Sequence, residues 1–287
     1  LRGLRIVEKH KAIQKLNHNI MYKTKWSLQL MLLLALAVFS CSSNDDTNPL
    51  PEPEVIPDTY SELNFSRTLH HNADGKLIRV QMVSVLPNGA TEETNQYYTY
   101  NTQGRMVESN TGNGWRMVYT FSGDKMVRTD EYINSTLRTQ YHTFEYTPTG
   151  KLAKSITYQN IPEEGGEIPV SSSTYEYDED GNLTFEKLFY YTTGGAEAVL
   201  LTVFKYGAYD DQPNSENLFS INPFNPFARF SENNPGQLEV KNGNGVVSST
   251  NTYTYQYNTK GYPVKKSTHI VLHNGEQGDY ETIYTFK

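Results

Sequence analysis

The stretch Tyr175-Glu-Tyr-Asp-Glu-Asp-Gly181-Asn-Leu-Thr constrains this chain more than any other feature, because it recurs. Four further copies align on it: Leu69-His-His-Asn-Ala-Asp-Gly75-Lys-Leu-Ile, Tyr98-Thr-Tyr-Asn-Thr-Gln-Gly104-Arg-Met-Val, Phe144-Glu-Tyr-Thr-Pro-Thr-Gly150-Lys-Leu-Ala and Tyr255-Gln-Tyr-Asn-Thr-Lys-Gly261-Tyr-Pro-Val. A shortened copy, Tyr119-Thr-Phe-Ser-Gly-Asp-Lys-Met-Val, lacks one turn residue. In each full copy an Asn, Asp or Thr opens a four-residue turn and glycine closes it. The opening side chain can accept a backbone N–H two residues on, and glycine takes the left-handed conformation that a Cβ opposes. Gly75, Gly104, Gly150, Gly181 and Gly261 are therefore structural turn positions. A type I turn followed by a left-handed glycine is a hairpin loop with a bulge. The aromatics before it, at i and i+2, share one strand face. Each unit predicts a β-hairpin.

The hairpin pattern is nearly continuous over residues 63–207, and no stretch beyond the N-terminal region sustains a helical apolar period. Val80-Gln-Met-Val-Ser-Val85, Trp115-Arg-Met-Val-Tyr-Thr-Phe121 and Val199-Leu-Leu-Thr-Val-Phe204 are rich in strand-favouring residues. Consecutive hairpins predict an all-β, antiparallel up-and-down meander. About 12–15 strands are more than an open twisted sheet holds without curling, so the expected shape is a curved half-barrel or partly closed barrel. The pattern breaks after Gly207. Residues 208–236 hold Pro213, Pro223, Pro226 and Pro235 among Phe219, Phe224, Phe227 and Phe230. Proline is excluded from central strands, and four phenylalanines do not face water together. This insertion is expected to fold back on the concave side of the sheet, as core filling or as an aromatic loop that grips a ligand.

Residues 1–20 are basic and lack an initial Met, so translation is expected to start at Met21; a short basic cytoplasmic tail is the alternative. From Met21 the chain reads as a secretory signal over 21–40: Lys23 and Lys25, then an apolar run from Leu28 to Phe39 that is too short to span a bilayer. Val38-Phe39-Ser40-Cys41 resembles a lipoprotein box, and Cys41 is the chain's single cysteine. Cys41 is accordingly the expected lipidation site, and more than one acyl chain gives stable anchoring. Residues 41–57, acidic and Pro-rich, read as an extended tether to a single domain over 58–287. Asp45-Asp46 resembles an export signal to the outer leaflet, and its alternative is a solvated linker. Residues 1–40 hold seven of the 25 Lys/Arg and one of the 32 Asp/Glu, so the other 247 residues carry 18 basic and 31 acidic side chains, a net −13. That balance argues against nucleic-acid binding, which needs clustered Lys and Arg.

The repeated Tyr-x-Tyr-Asp-x-x-Gly-x-Leu resembles the YD repeat of Rhs-type proteins. The order of later pieces, Tyr209-Asp-Asp-Gln-Pro213-Asn, Asn233-Asn-Pro235 and Tyr255-Gln-Tyr257…Gly261-Tyr-Pro263, is similar to an uncharacterised group of Bacteroidetes-type surface lipoproteins with a porin-like β fold. The resemblance implies an outer-membrane lipoprotein. It faces the cell surface or, alternatively, the periplasm. It carries no activity over.

Catalytic signatures are absent: there is no Gly-x-Ser-x-Gly elbow, no His-Glu-x-x-His and no phosphate-binding loop. No metal or cofactor site is expected. His269 and His273 share a strand face without a third ligand in view, and Glu176-Tyr-Asp178-Glu-Asp180-Gly181 places Lys187 where a calcium loop needs its bidentate Glu. Glu145 and Glu176 alternate with the turn-flanking aromatics, so they read as a solvated face. Aromatics are the one excess: 22 Tyr can form a cross-strand ladder or stack on sugars. Trp115, Phe224 and Phe227 are the candidate ligand-binding residues. Three functions follow as expectations. The first is a non-catalytic, lipid-anchored surface module that binds glycan or protein. The second is a glycoside hydrolase or lyase with carboxylates on the concave face, and the third a structural subunit of an envelope complex.

Overall fold

The structure, a computed structural model, describes residues 56–134, 137–162, 166–219 and 221–287. The expected start at Met21, the signal, Cys41 and the tether up to residue 55 lie outside the described residues. Sixteen strands follow one another: β1 (Pro57–Glu62), β2 (Phe65–His71), β3 (Leu77–Val85), β4 (Thr91–Tyr100), β5 (Met106–Asn110), β6 (Arg116–Ser122), β7 (Lys125–Ile133), β8 (Leu137–Tyr146), β9 (Leu152–Ile161), β10 (Gly166–Tyr177), β11 (Leu183–Tyr191), β12 (Ala198–Gly207), β13 (Gln237–Asn242), β14 (Val247–Tyr257), β15 (Pro263–Leu272) and β16 (Gln277–Phe286). Each pairs antiparallel with the next, and β1 pairs with β16, so the meander is a closed barrel.

The all-β meander is as expected, and it goes further than the expectation in closing fully and in having sixteen strands. The closing strand explains the difference. Its sequence, Pro-Asp-Thr-Tyr-Ser-Glu, carries little strand signal, and its partners lie at the far end of the chain: Tyr60 faces Tyr284 and Glu62 faces Thr282. Pairing the two edges removes the unpaired N–H and C=O rows that an open sheet leaves.

Every repeat turn has the anticipated geometry. The Gly75 N–H donates to Asn72 O at 3.0 Å, the Asn72 N–H donates to Lys76 O at 2.9 Å, and Gly75 has φ 76°. Gly104, Gly150, Gly181 and Gly261 have φ of 80°, 88°, 84° and 82°, values a Cβ would oppose. The second aromatic of the unit has its own task. Tyr100 OH donates to Leu77 O (2.7 Å), Tyr146 OH to Met126 O (2.6 Å) and Tyr177 OH to Leu152 O (2.8 Å). Each accepting residue is the apolar one just after the preceding hairpin's turn, so these three tyrosines clip their hairpins to the ones before, whereas Tyr257 of the last copy donates to Asp210 of the insertion. Tyr209 OH, past the end of β12, repeats the clip on Leu183 O.

The two ends of the barrel differ. At one end lie the repeat turns, the start of β1, the end of β16 and the 208–236 insertion. At the other end the eight connections span two to six residues. Sixteen strands enclose a lumen too wide for wall side chains to fill, and the insertion occupies it from the turn end. It carries a short helix, α1 (Glu216–Phe219). Phe219, Asn225 and Phe230 are at most 2% exposed. The insertion's buried aromatics pack on the wall: Phe219 meets Tyr284 and Phe286, both at 5.4 Å between ring centroids, and Phe230 meets Tyr175 at 4.9 Å.

Candidate functional site

The plug is bound to the wall by polar contacts as well as aromatic ones. Arg67 Nη1 donates to Phe219 O at 3.0 Å, Tyr119 OH to Pro223 O at 2.9 Å, and Thr129 Oγ1 to Phe224 O. Asn182 Oδ1 accepts the N–H groups of Glu232 and Asn233, both at 2.9 Å. One contact is ionic. Lys266 Nζ lies 2.6 Å from Glu216 Oε1, and Tyr284 OH donates to the same oxygen at 2.6 Å. Both charged residues are under 8% exposed. Burial opposes the Lys266 charge, but Glu216 beside it outweighs burial and raises its pKa.

Above the plug the lumen wall is polar and aromatic. The barrel registers place Gln140, Gln159, Ser171, Tyr175, Glu186, Leu188, Tyr253 and Tyr280 on the inward face with the buried Tyr60, His142, Phe204 and Tyr284. Those first eight remain half-buried and reachable. Together they line a cup floored by the insertion.

Two stations stand out on its wall. At the first, Trp115 turns in from the β5–β6 turn, and its Nε1–H donates to Glu131 Oε1 at 2.7 Å. Gln140 Nε2 donates to Glu131 Oε2 and Gln159 Nε2 to Gln140 Oε1. His142 Nε2 stands 3.8 Å from Glu131, beyond hydrogen-bond distance; Nδ1 is 3.0 Å from Thr157 Oγ1, and the ring lies on Phe224 at 4.3 Å. Burial alone would raise the Glu131 pKa, but the nearby His142 ring and the hydrogen bonds from Gln140 and Trp115 outweigh it and hold the carboxyl below its ordinary value. At the second station Glu186, on β11, projects inward between Tyr175 and Phe204. Burial lifts its pKa to about 7, partly offset by the Ser173 hydroxyl.

Of the candidate residues, Trp115 and Phe224 thus belong to one network that runs from rim to plug. Phe227 does not: it packs on Phe121 at 5.5 Å, on the turn end, and is 43% exposed. Glu131, Gln140, His142 and Glu186 were not singled out in the sequence, where inward and outward polar positions look alike. Glu145 and Glu176 lie on the outer wall, paired with Lys154 and Lys187. His269 pairs with Asp279 on the same wall. Asp178 Oδ1 accepts the Asn182 N–H at 2.7 Å, a turn contact. Among the described residues no three His, Cys, Asp or Glu side chains gather as a metal set.

With this geometry, solved structures can be compared. A porin-like protein from Bacteroides uniformis ATCC 8492 superposes with a TM-score of 0.56 at 14% identity, over 83% of this chain and 98% of that one. The chain shares its fold with a porin-like protein. A second porin-like protein, from Bacteroides vulgatus ATCC 8482, matches over 82% of this chain and 99% of that one at 11% identity, with a TM-score of 0.38; the fold argument rests on the first. No protein-family model matches the chain, and no curated protein does.

The likeness is one of strand arrangement. A lipid-facing barrel carries an apolar band around its outside. Here outward positions hold Arg116–Glu108, Arg128–Asp130, Lys154–Glu145, Lys187–Glu176, Lys241–Glu239 and Lys265–Glu281 pairs on six stretches of wall. No helix among the described residues is long and apolar enough to cross a membrane.

Proposed function

We propose that this protein is a non-catalytic, lipid-anchored binding module of the cell envelope, which receives a polar, ring-containing ligand of the glycan class in its lumen. The observation that carries the reading is the cup: a lumen floored by the insertion and lined above it by amides, hydroxyls and aromatic rings that are only partly buried. Such a lining suits sugars, whose hydroxyls pair with amides and whose apolar ring faces stack on aromatics. Cys41 is the proposed anchor, on the sequence alone. The chain enters β1 at the floored end, so an anchor upstream would hold that end toward the membrane and leave the mouth facing away.

A hydrolytic reading would make Glu186 the acid and Glu131 the base, since their environments push them apart. They stand on β7 and β11, four strands apart in the barrel, so no pairing of neighbouring strands brings them together as a glycosidase pair. Binding is preferred over cleavage.

The test uses Trp115, the single Trp of residues 56–287. Neutral oligosaccharides from an array that retains the protein should shift its fluorescence, and Gln140→Ala should weaken that response about tenfold. Retention without any Trp115 change would move the binding surface to the outer wall. Release of reducing ends would instead favour the enzyme.

A further inference from the structure

We infer that the lumen floor around Glu186 is a binding site for a protonated amine, so that the ligand of the cup carries an ammonium group beside its neutral polar body. The inference rests on the reading of the lumen as the ligand site and adds what one part of it selects.

Glu186 is an acid in an unusual place. The register turns it into the barrel opposite Tyr175 and Phe204, in the layer where Phe230 of the insertion meets Tyr175. The groups near it are Ser173, Tyr175 and Tyr177 from β10 and Tyr206 from β12; burial raises the pKa of all three tyrosines, so they are neutral at physiological pH. Among the described residues no Lys, Arg or His supplies it with a counter-charge. The contrast with Glu216 is direct, because that buried acid has Lys266 at 2.6 Å. A carboxyl removed from bulk water without a base is costly, and Leu188, two residues on along the same inward row, shows that the wall accommodates an apolar side chain.

An acid inside a ring of phenols is a recognition element for a cation. The carboxylate accepts a charge-assisted hydrogen bond from an N–H donor, and the aromatic faces attract positive charge. Glu186 is half-buried and reachable from the lumen, so an incoming ammonium could serve as its counter-ion. Ordinary acids of the outer wall, such as Glu176, already have lysine partners.

The experiment measures binding of hexane-1,6-diamine and hexane-1,6-diol to the full chain by titration calorimetry at pH 8 and pH 6. The amine stays charged across that range. The diamine should bind at least tenfold more tightly than the diol at pH 8, and the advantage should shrink severalfold at pH 6, as Glu186 takes up a proton. Glu186→Gln keeps the shape and should erase the preference, whereas Glu176→Gln on the outer wall should leave it intact. A preference that survives Glu186→Gln, or one that does not change with pH in the unaltered protein, overturns the inference. So does equal binding of diamine and diol. If Glu186→Gln still answers neutral oligosaccharides through Trp115, the cup reading stands while the amine site falls. If the diamine binds as expected and no oligosaccharide does, the amine site stands and the glycan reading falls.

Discussion

The two ends of the barrel are made from the same strands and obey different rules. At the floored end, five turns repeat one five-residue plan, tyrosines clip neighbouring hairpins, and the insertion meets the wall through buried hydrogen bonds and an ion pair. At the opposite end three connections, 86–90, 242–246 and 272–276, keep the same hydrogen-bonded turn with its left-handed glycine, the others differ, and large apolar side chains such as Leu86, Val246 and Leu272 are exposed. The difference teaches that buried polar and aromatic contacts are concentrated at the floor, which leaves the rim less constrained; the proposed binding role would draw on that. Stability in proteins is uneven in this way, with binding regions drawn from the less constrained part.

The sharpest way to break the comparison is at the buried ion pair. Lys266→Met removes the lysine counter-charge from Glu216 inside the floor, a change that costs about 3–5 kcal/mol. The double variant Lys266→Met/Glu216→Leu should recover much of that loss, because two apolar groups can replace a buried pair. Urea midpoints of the two singles and the double would decide it. A single-variant cost under about 1 kcal/mol would mean that the floor is held by its aromatic contacts instead. Phe219→Ala and Phe227→Ala sharpen the same point within the insertion. The first residue is fully buried and the second is 43% exposed, so losses of about 3–5 kcal/mol and under about 1 kcal/mol are expected.

Next in size is a pH effect just above the floor. The folded pKa of Glu186, about 7, stands above the ordinary 4.5 expected once unfolded. The folded state therefore binds this proton more tightly, and its charge destabilises the fold fully above pH 7. The penalty fades as pH falls through 7 and is gone below the unfolded value. The shift corresponds to at most about 3 kcal/mol at pH 8. Glu186→Gln should raise the melting temperature at pH 8, change it little at pH 5, and so flatten the stability profile between them. An unchanged slope would place the acid in ordinary contact with water.

How much of this was legible in the sequence follows the same division. The floored end was readable because its devices are local: Gly181 follows Asp178 by three residues, and Tyr177 precedes the turn by one. The insertion announced itself through Pro223, Pro226 and the four phenylalanines. Closure was not readable, since Tyr60 meets Tyr284 across almost the whole described chain. The lumen stations were hidden for another reason. In most barrels with a dry core, alternation separates inside from outside; here Glu131 and Glu186 face in while Glu145 and Glu176 face out, so polarity alone does not report direction. Trp115 and Phe224 could be singled out as aromatics, but His142 and Glu131, which connect them, could not.

Glycine replacements compare the ends at smaller scale. Gly181 and Gly275 have nearly the same φ, 84° and 85°. A Cβ on Gly181 would sit 3.0 Å from the Lys151 side chain, whose Nζ bonds Gly181 O and Glu232, whereas a Cβ on Gly275 meets nothing within 4 Å. Gly275→Ala should cost only the backbone term, about 1–2 kcal/mol. Gly181→Ala should cost more, because Lys151 must give way and loosen its hold on the insertion. Equal losses by thermal melting would show that this contact yields freely.

The smallest effect belongs to the wall between the ends. Lys187 and Glu176 form an ion pair in which both side chains remain at least one-third exposed, and exposed pairs contribute about 0–1 kcal/mol. Lys187→Ala should therefore shift the urea midpoint by little more than the error of measurement. The pairs on the outer face matter for where the barrel can sit, since charged side chains on a lipid-facing wall cost about 2–4 kcal/mol each near the bilayer midplane. Residues 56–287 are accordingly expected to purify without detergent and to float with lipid vesicles no better than a soluble control. Replacing Lys187, Glu176, Lys154 and Glu145 together by leucine should create an apolar patch across β8–β11 and drive association with vesicles. If the unaltered barrel already partitions into vesicles, the wall tolerates lipid despite its charges, and the mouth and floor would have to be reread as the two faces of a membrane channel.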